Sequence, residues 1–236
     1  MSSGVNNDFG RAVHVNAAAR LYLLWADTDI DFMLLAGGSR TRRYGADFSR
    51  NLGSNLEVHG EWARIQDVQQ QTTSATGTLS PLRRTADSSL LGLRYLSERE
   101  TTWIAEYYRN GTGFSEAQMR SFYDLVDNGM AKYQASGTDT LLRRAAGLAQ
   151  GSQGGYGRPN AGRQYLYLRV AQKEPFDILY FNPALTLTTN LEDGSRSLVP
   201  EIVYTGITNV QLQLRAFLLA GGARTEFGEK QNARRL

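Results

Sequence analysis

Three ionisable side chains stand at alternate positions in the stretch LEVHGEWARI: Glu57, His59 and Glu61. Carboxylates and an imidazole are ligands that a divalent cation takes from proteins. In an extended strand, residues i, i+2 and i+4 share a face but spread over about 13 Å, so they cannot all reach one ion. The pattern reads instead as a stripe of charge that pairs with arginines on neighbouring strands. His14 and His59 are the only histidines, so a Ser/His/carboxylate site would have to use His59, and no G-x-S-x-G elbow is present. Cysteine is absent, which excludes disulfides, thiolate metal sites and cysteine nucleophiles. Neither an enzyme nor a metal or cofactor site is expected.

Similar stripes recur along the chain. Arg20, Arg43, Arg94, Arg169 and Arg215, with Asp31, Asp47, Glu106 and Glu201, fall on the polar side of alternating segments. The clearest segment is EIVYTGITNVQLQLRAFLLA, from Glu201 to Ala220. In its second half Val210, Leu212, Leu214, Ala216 and Leu218 share one parity, and Gln211, Gln213 and Arg215 share the other. Side chains of a strand alternate between faces, so this is a sheet with one apolar and one polar face. About ten such strands are expected: over 17–25, 30–34, 43–48, 56–65, 91–95, 103–108, 163–172 and 179–188, then a pair within 201–220.

The connections sort by length. ADTD, NLGSN, SERE, KEPF and GITN form a short set. The alternate set contains two long segments, a patternless polar stretch Gln66–Asp87 and an insertion Asn110–Gly162. Short turns on one side and long loops on the other are the habit of outer-membrane barrels, and a soluble sandwich has no reason to adopt it. Aromatic residues agree: Trp25, Phe48, Tyr95, Trp103 and Tyr204 fall on the apolar face near the short-turn end, and Tyr44, Trp62 and Tyr107 near the other. Within the insertion, Ser115 with Gln118 makes a capping box. Met119, Phe122, Tyr123, Val126, Met130 and Tyr133 then fall on one helical face. A second helix is expected over Asp139–Gln150. The two must bury their apolar faces, either on the inner wall as a constriction, the favoured expectation, or on each other as a cap at the rim.

The composition permits this. No apolar run approaches the ~18 residues of a membrane helix, whereas a barrel strand needs only about 10 alternating residues. The formal charge of +3 is too small to imply a nucleic-acid partner. Lys132, Lys173 and Lys230 are the only lysines, the remaining basic residues being arginine, which pairs bidentately with carboxylates.

On these grounds the chain resembles, in architecture, the porin-like β-barrels of the Gram-negative outer membrane. The resemblance implies an all-β, antiparallel, up-and-down transmembrane barrel spanning 1–236, with 110–162 as a helical loop. It implies lipid outside, small hydrophilic solutes inside, and passive diffusion as the function. The pore-lining candidates are then Arg20, Arg43, Asp47, Glu57, His59, Glu61, Arg94, Glu106, Arg169, Glu201, Gln211, Gln213 and Arg215. No signal peptide is seen, about ten strands are counted, and another strand is expected to begin where the sequence reaches Leu236, so a C-terminal fragment of a larger barrel is expected. Two other readings compete: a filled barrel serving as scaffold or adhesion component, and a soluble β-sandwich or lipocalin-like binding protein.

Overall fold

The computed structural model describes residues 14–38, 41–150 and 155–230. Ten strands lie in the sheet in their chain order, each antiparallel to the next. They are β1 (Asn16–Trp25), β2 (Thr28–Gly37), β3 (Arg43–Asn51), β4 (Leu56–Thr73), β5 (Leu79–Leu96), β6 (Thr101–Arg109), β7 (Gln164–Gln172), β8 (Phe181–Asn190), β9 (Arg196–Ile207) and β10 (Val210–Arg215). A short β11 (Leu218–Ala220) also pairs with β9, making eleven strands. It continues β10 in the same register, and the break falls opposite Pro200, which has no N–H to give the ladder. The path begins at β1 and ends at β10, so the sheet is up-and-down and open, and a closed barrel is not seen.

Register keeps the two faces separate across the whole sheet. One row reads Leu23, Ile30, Phe48, Gly60, Leu91, Tyr107 and Leu166. The row of opposite parity beside it reads Tyr22, Asp31, Asp47, Glu61, Leu90, Tyr108 and Tyr165. Gly60 belongs to its row because the Phe48 ring lies across it; a Cβ there would meet the ring at 2.5 Å. The apolar face is bare: Trp25, Phe32, Leu91, Trp103 and Leu212 are among its exposed large side chains.

The short connections stand where the sequence puts them. Ala26 and Asp27 both have positive φ, which suits the two-residue β1–β2 turn. Two expectations need correction. Gln66–Asp87 is not a loop: β4 and β5 run 18 residues each and turn only at 74–78. The signal was missed because both faces of this extension are polar, so no period of two is written in it. A register shift between Ile65 and Val68, with Asp67 at φ 53°, bends the hairpin where it leaves the regular sheet. The eighth strand starts at Phe181 and not Leu179, because Phe176, Asp177 and Tyr180 have positive φ and cannot continue a strand. Residues 221–230 fold back in turns, and the further strand expected at Leu236 lies outside the described residues.

Helix α1 (Glu116–Ser136) starts at the expected capping box: Ser115 Oγ accepts from Gln118 N–H, and the Gln118 side chain accepts from Ser115 N–H. It ends at Gly137, whose φ of 72° gives the left-handed cap. Helix α2 (Thr140–Gln150) packs back against it. Neither is long and apolar enough to cross a membrane.

Candidate functional site

The core of the molecule is not in the sheet. Its largest group of buried residues comprises Phe114, Met119, Phe122, Tyr123, Leu125, Ala145, Leu148, Tyr156 and Ala161. The Tyr156 ring stacks between Phe114 at 3.8 Å and Phe122 at 4.4 Å. Burial pushes the Tyr156 hydroxyl pKa up to about 12, and raises that of Tyr123 as well. The tip of the β4–β5 hairpin completes this body. Asn128 donates to Ala75 O at 2.9 Å, Arg144 donates to Gly77 O at 2.6 Å, and a Cβ on Gly77 would touch Leu125 and Leu141. The helices thus bury their faces on each other and on the hairpin tip.

Segment 221–230 straps this body to the sheet. Glu226 is 3% exposed; its carboxylate accepts from Ala161 N at 3.0 Å, Asn190 Nδ2 at 2.9 Å, Lys230 Nζ at 3.1 Å and the Tyr165 hydroxyl. Arg224 reaches α1, at 3.0 Å from Asp124 and 2.7 Å from Asp127. Nothing in the sequence marks these residues, since Glu226 and Glu229 in a glycine-rich tail form no pattern.

The thirteen sequence candidates all lie on the polar face, and the fold gathers most into three groups. On β1–β4, Arg20 grips Asp31 through two bonds of 2.6 and 2.7 Å. Asp31, Asp47 and Glu61 are register partners in one row, and Arg43 lies half-buried on β3, four residues along from Asp47. A trough of about 860 Å³ opens here, lined by Met33, Arg43, Asp47, Glu61, Leu90 and Thr112 among others. Its apolar lining was not foreseen: the polar face is mixed, with Met33, Ile65 and Leu90 among its charges.

The second group centres on His59. Its Nε2 lies 3.3 Å from Glu106 Oε1 and its Nδ1 lies 3.6 Å from Glu57 Oε1, while Arg94 stands 4.0 Å from the other Glu57 oxygen. His59 on β4 reaches Glu106 on β6 because the residue between them is Gly92, where a Cβ would meet His59 Nε2 at 2.3 Å. The stripe Glu57–His59–Glu61 therefore divides: Glu57 turns to His59 and Arg94, and Glu61 joins the acidic row. The third group is Arg169, Glu201 and Arg215. Arg215 Nε donates to Glu201 at 2.7 Å, and Arg169 stands 3.8 Å from Glu201 and donates to Thr186 at 2.9 Å. Gln211 and Gln213 are not gathered into any of these; they stand exposed on β10.

Such a wall can bind and orient water and small polar solutes through paired charges of both signs. Comparison with protein-family models, with curated proteins and with solved structures finds no match for this chain.

Proposed function

We propose that the chain forms wall of an outer-membrane β-barrel channel through which small hydrophilic solutes diffuse passively. One observation carries this reading: a whole face of the ten-strand sheet is apolar and uncovered, and all three tryptophans, Trp25, Trp62 and Trp103, stand exposed on it. Each large side chain of that face would gain roughly 1.5–3 kcal/mol by leaving water. Lipid is the solvent that covers such a face without a second sheet, and the opposite face then borders the aqueous path.

The edges support the same reading. Neither β1 nor β10 carries the proline or lysine that blunts a free edge in water. Unpaired edges cannot sit in hydrocarbon, so in this proposal both pair with further strands to close the barrel.

The test is reconstitution of the full chain into vesicles whose acyl chains are brominated, followed by planar-bilayer recording. Strong quenching of tryptophan emission together with discrete conductance steps is expected. Absence of quenching would remove the lipid-facing reading and leave the soluble sheet. Quenching without conductance would leave the filled scaffold.

A further inference from the structure

Three guanidinium groups far apart in sequence converge on two adjacent backbone carbonyls. Arg158 donates to Thr112 O at 2.6 Å; Arg163 and Arg84 donate to Gly113 O at 3.1 and 3.3 Å. The Gln70 amide shares Thr112 O at 3.1 Å. No ion pair within 4.0 Å joins any of the three arginines to a carboxylate among the described residues. Glu226, whose charge acts on Arg158, is already held by Ala161, Tyr165, Asn190 and Lys230. The Nε atoms of Arg84 and Arg158 are buried without a hydrogen-bond partner. Arg158 and Arg163 also act on Arg84 as like charges.

Neutral carbonyls do not offset three positive charges brought together, and two orphaned donors are a cost that native structures rarely keep without cause. All three side chains remain half-exposed, so a small molecule can reach them. Arg84 has the parity of Ser88 and Leu90 on β5, and Arg163 that of Tyr165 on β7, so the group belongs to the polar face. It stands at the rim of the trough, which Asn110 and Thr112 also line.

We infer that Arg84, Arg158 and Arg163 form a binding site for a small soluble oxyanion of the phosphate class. Planar guanidinium forks match the oxygens of such an anion, and the half-exposed side chains bring three positive charges to it. The site stands apart from the channel reading, since it requires binding and not conduction.

Inorganic phosphate titrated into the full chain in detergent micelles, at fixed pH and ionic strength against chloride, tests it by calorimetry. Saturable binding is expected. Arg84→Gln, Arg158→Gln and Arg163→Gln should each weaken it tenfold or more, and Arg143→Gln on α2 should not. Near-ultraviolet circular dichroism of the Phe114–Tyr156–Phe122 stack checks folding; should one variant lose that signal, the other two decide. No saturable binding, or equal affinity in every folded variant, overturns the proposal. Vesicles containing phosphatidic acid that displace phosphate from these residues would reassign the site to a lipid headgroup and overturn the soluble ligand.

Discussion

A charge placed on the apolar face measures what covers that face. Leu168 is suited to this. It stands mid-strand on β7 between Ala105 and Leu187, four residues from Gln164 and four from Gln172, the polar ends of its own parity. At ~3.3 Å per residue it is about 13 Å from either end. Leu168→Arg would then face the middle of the bilayer, where arginine costs roughly 2–4 kcal/mol, about a 30- to 700-fold loss in the folded ratio. Tyr95→Arg, next to the short β5–β6 turn, lies near an interface and should cost about 0–1 kcal/mol. Tyr167→Arg points to the other face, opposite Glu106, and should be nearly neutral. Denaturant midpoints of the three variants in lipid vesicles, read by tryptophan emission, give the comparison. A buried soluble core also resists Arg at Leu168, so the gradient with depth is what discriminates. Equal losses at Leu168 and Tyr95, or equal tolerance of Leu168→Arg and Tyr167→Arg, would refute the lipid-facing assignment.

Other perturbations address the two remaining regions. Gly92→Ala would force its Cβ into His59, costing about 1–3 kcal/mol by overpacking, and His59→Ala should restore most of that; the double-mutant cycle in denaturant checks it. Glu226→Ala leaves four donors without their acceptor and should cost roughly 3 kcal/mol, read as loss of hydrogen-exchange protection at Ala161. The Tyr156 hydroxyl has a folded pKa raised to about 12 by burial, against 10.0 when free. An unfolded tyrosine therefore releases its proton first. The stability it contributes is complete below pH 10, falls as pH rises, and is lost through about pH 12. Tyr156→Phe should flatten the alkaline limb of a pH–stability curve for the cap.

Legibility followed environment. The strands, their order and their faces were readable because one side of each strand is apolar and the other polar, and that contrast writes a period of two. Where the β4–β5 hairpin rises clear of the apolar band, Gln69, Gln70, Gln71 and Thr72 are polar on both sides, and the same ladder left no trace in the residues. Helix α1 was readable from Ser115 and Gln118, a local device. The strap around Glu226 and the convergence of Arg84, Arg158 and Arg163 depend on contacts between distant segments, which no local pattern records. His59 lay between: its stripe was visible, but its partner across Gly92 was set by register.

The boundary between these regimes is itself informative. Along the apolar parity, the regular sheet carries charge at Arg50 near the end of β3, at Arg109 and Arg196 at the ends of β6 and β9, and at Arg64 on β4 paired with Asp87 on β5, where the hairpin extension leaves it. Between such ends the parity carries no charge. On β9 it runs from Arg196 through Leu198, Pro200 and Ile202 to Tyr204, eight residue steps or about 26 Å of strand. Tilted as barrel strands are, that length stands about 20 Å tall, near the ~25 Å apolar band of outer-membrane barrels. Beyond the last apolar rows the chain changes its means of stabilisation: helices cap one another, aromatic rings stack out of water, and the Glu226 carboxylate is fully hydrogen-bonded. The proposal of lipid against the middle of the sheet and water at its rim would account for both halves of that pattern.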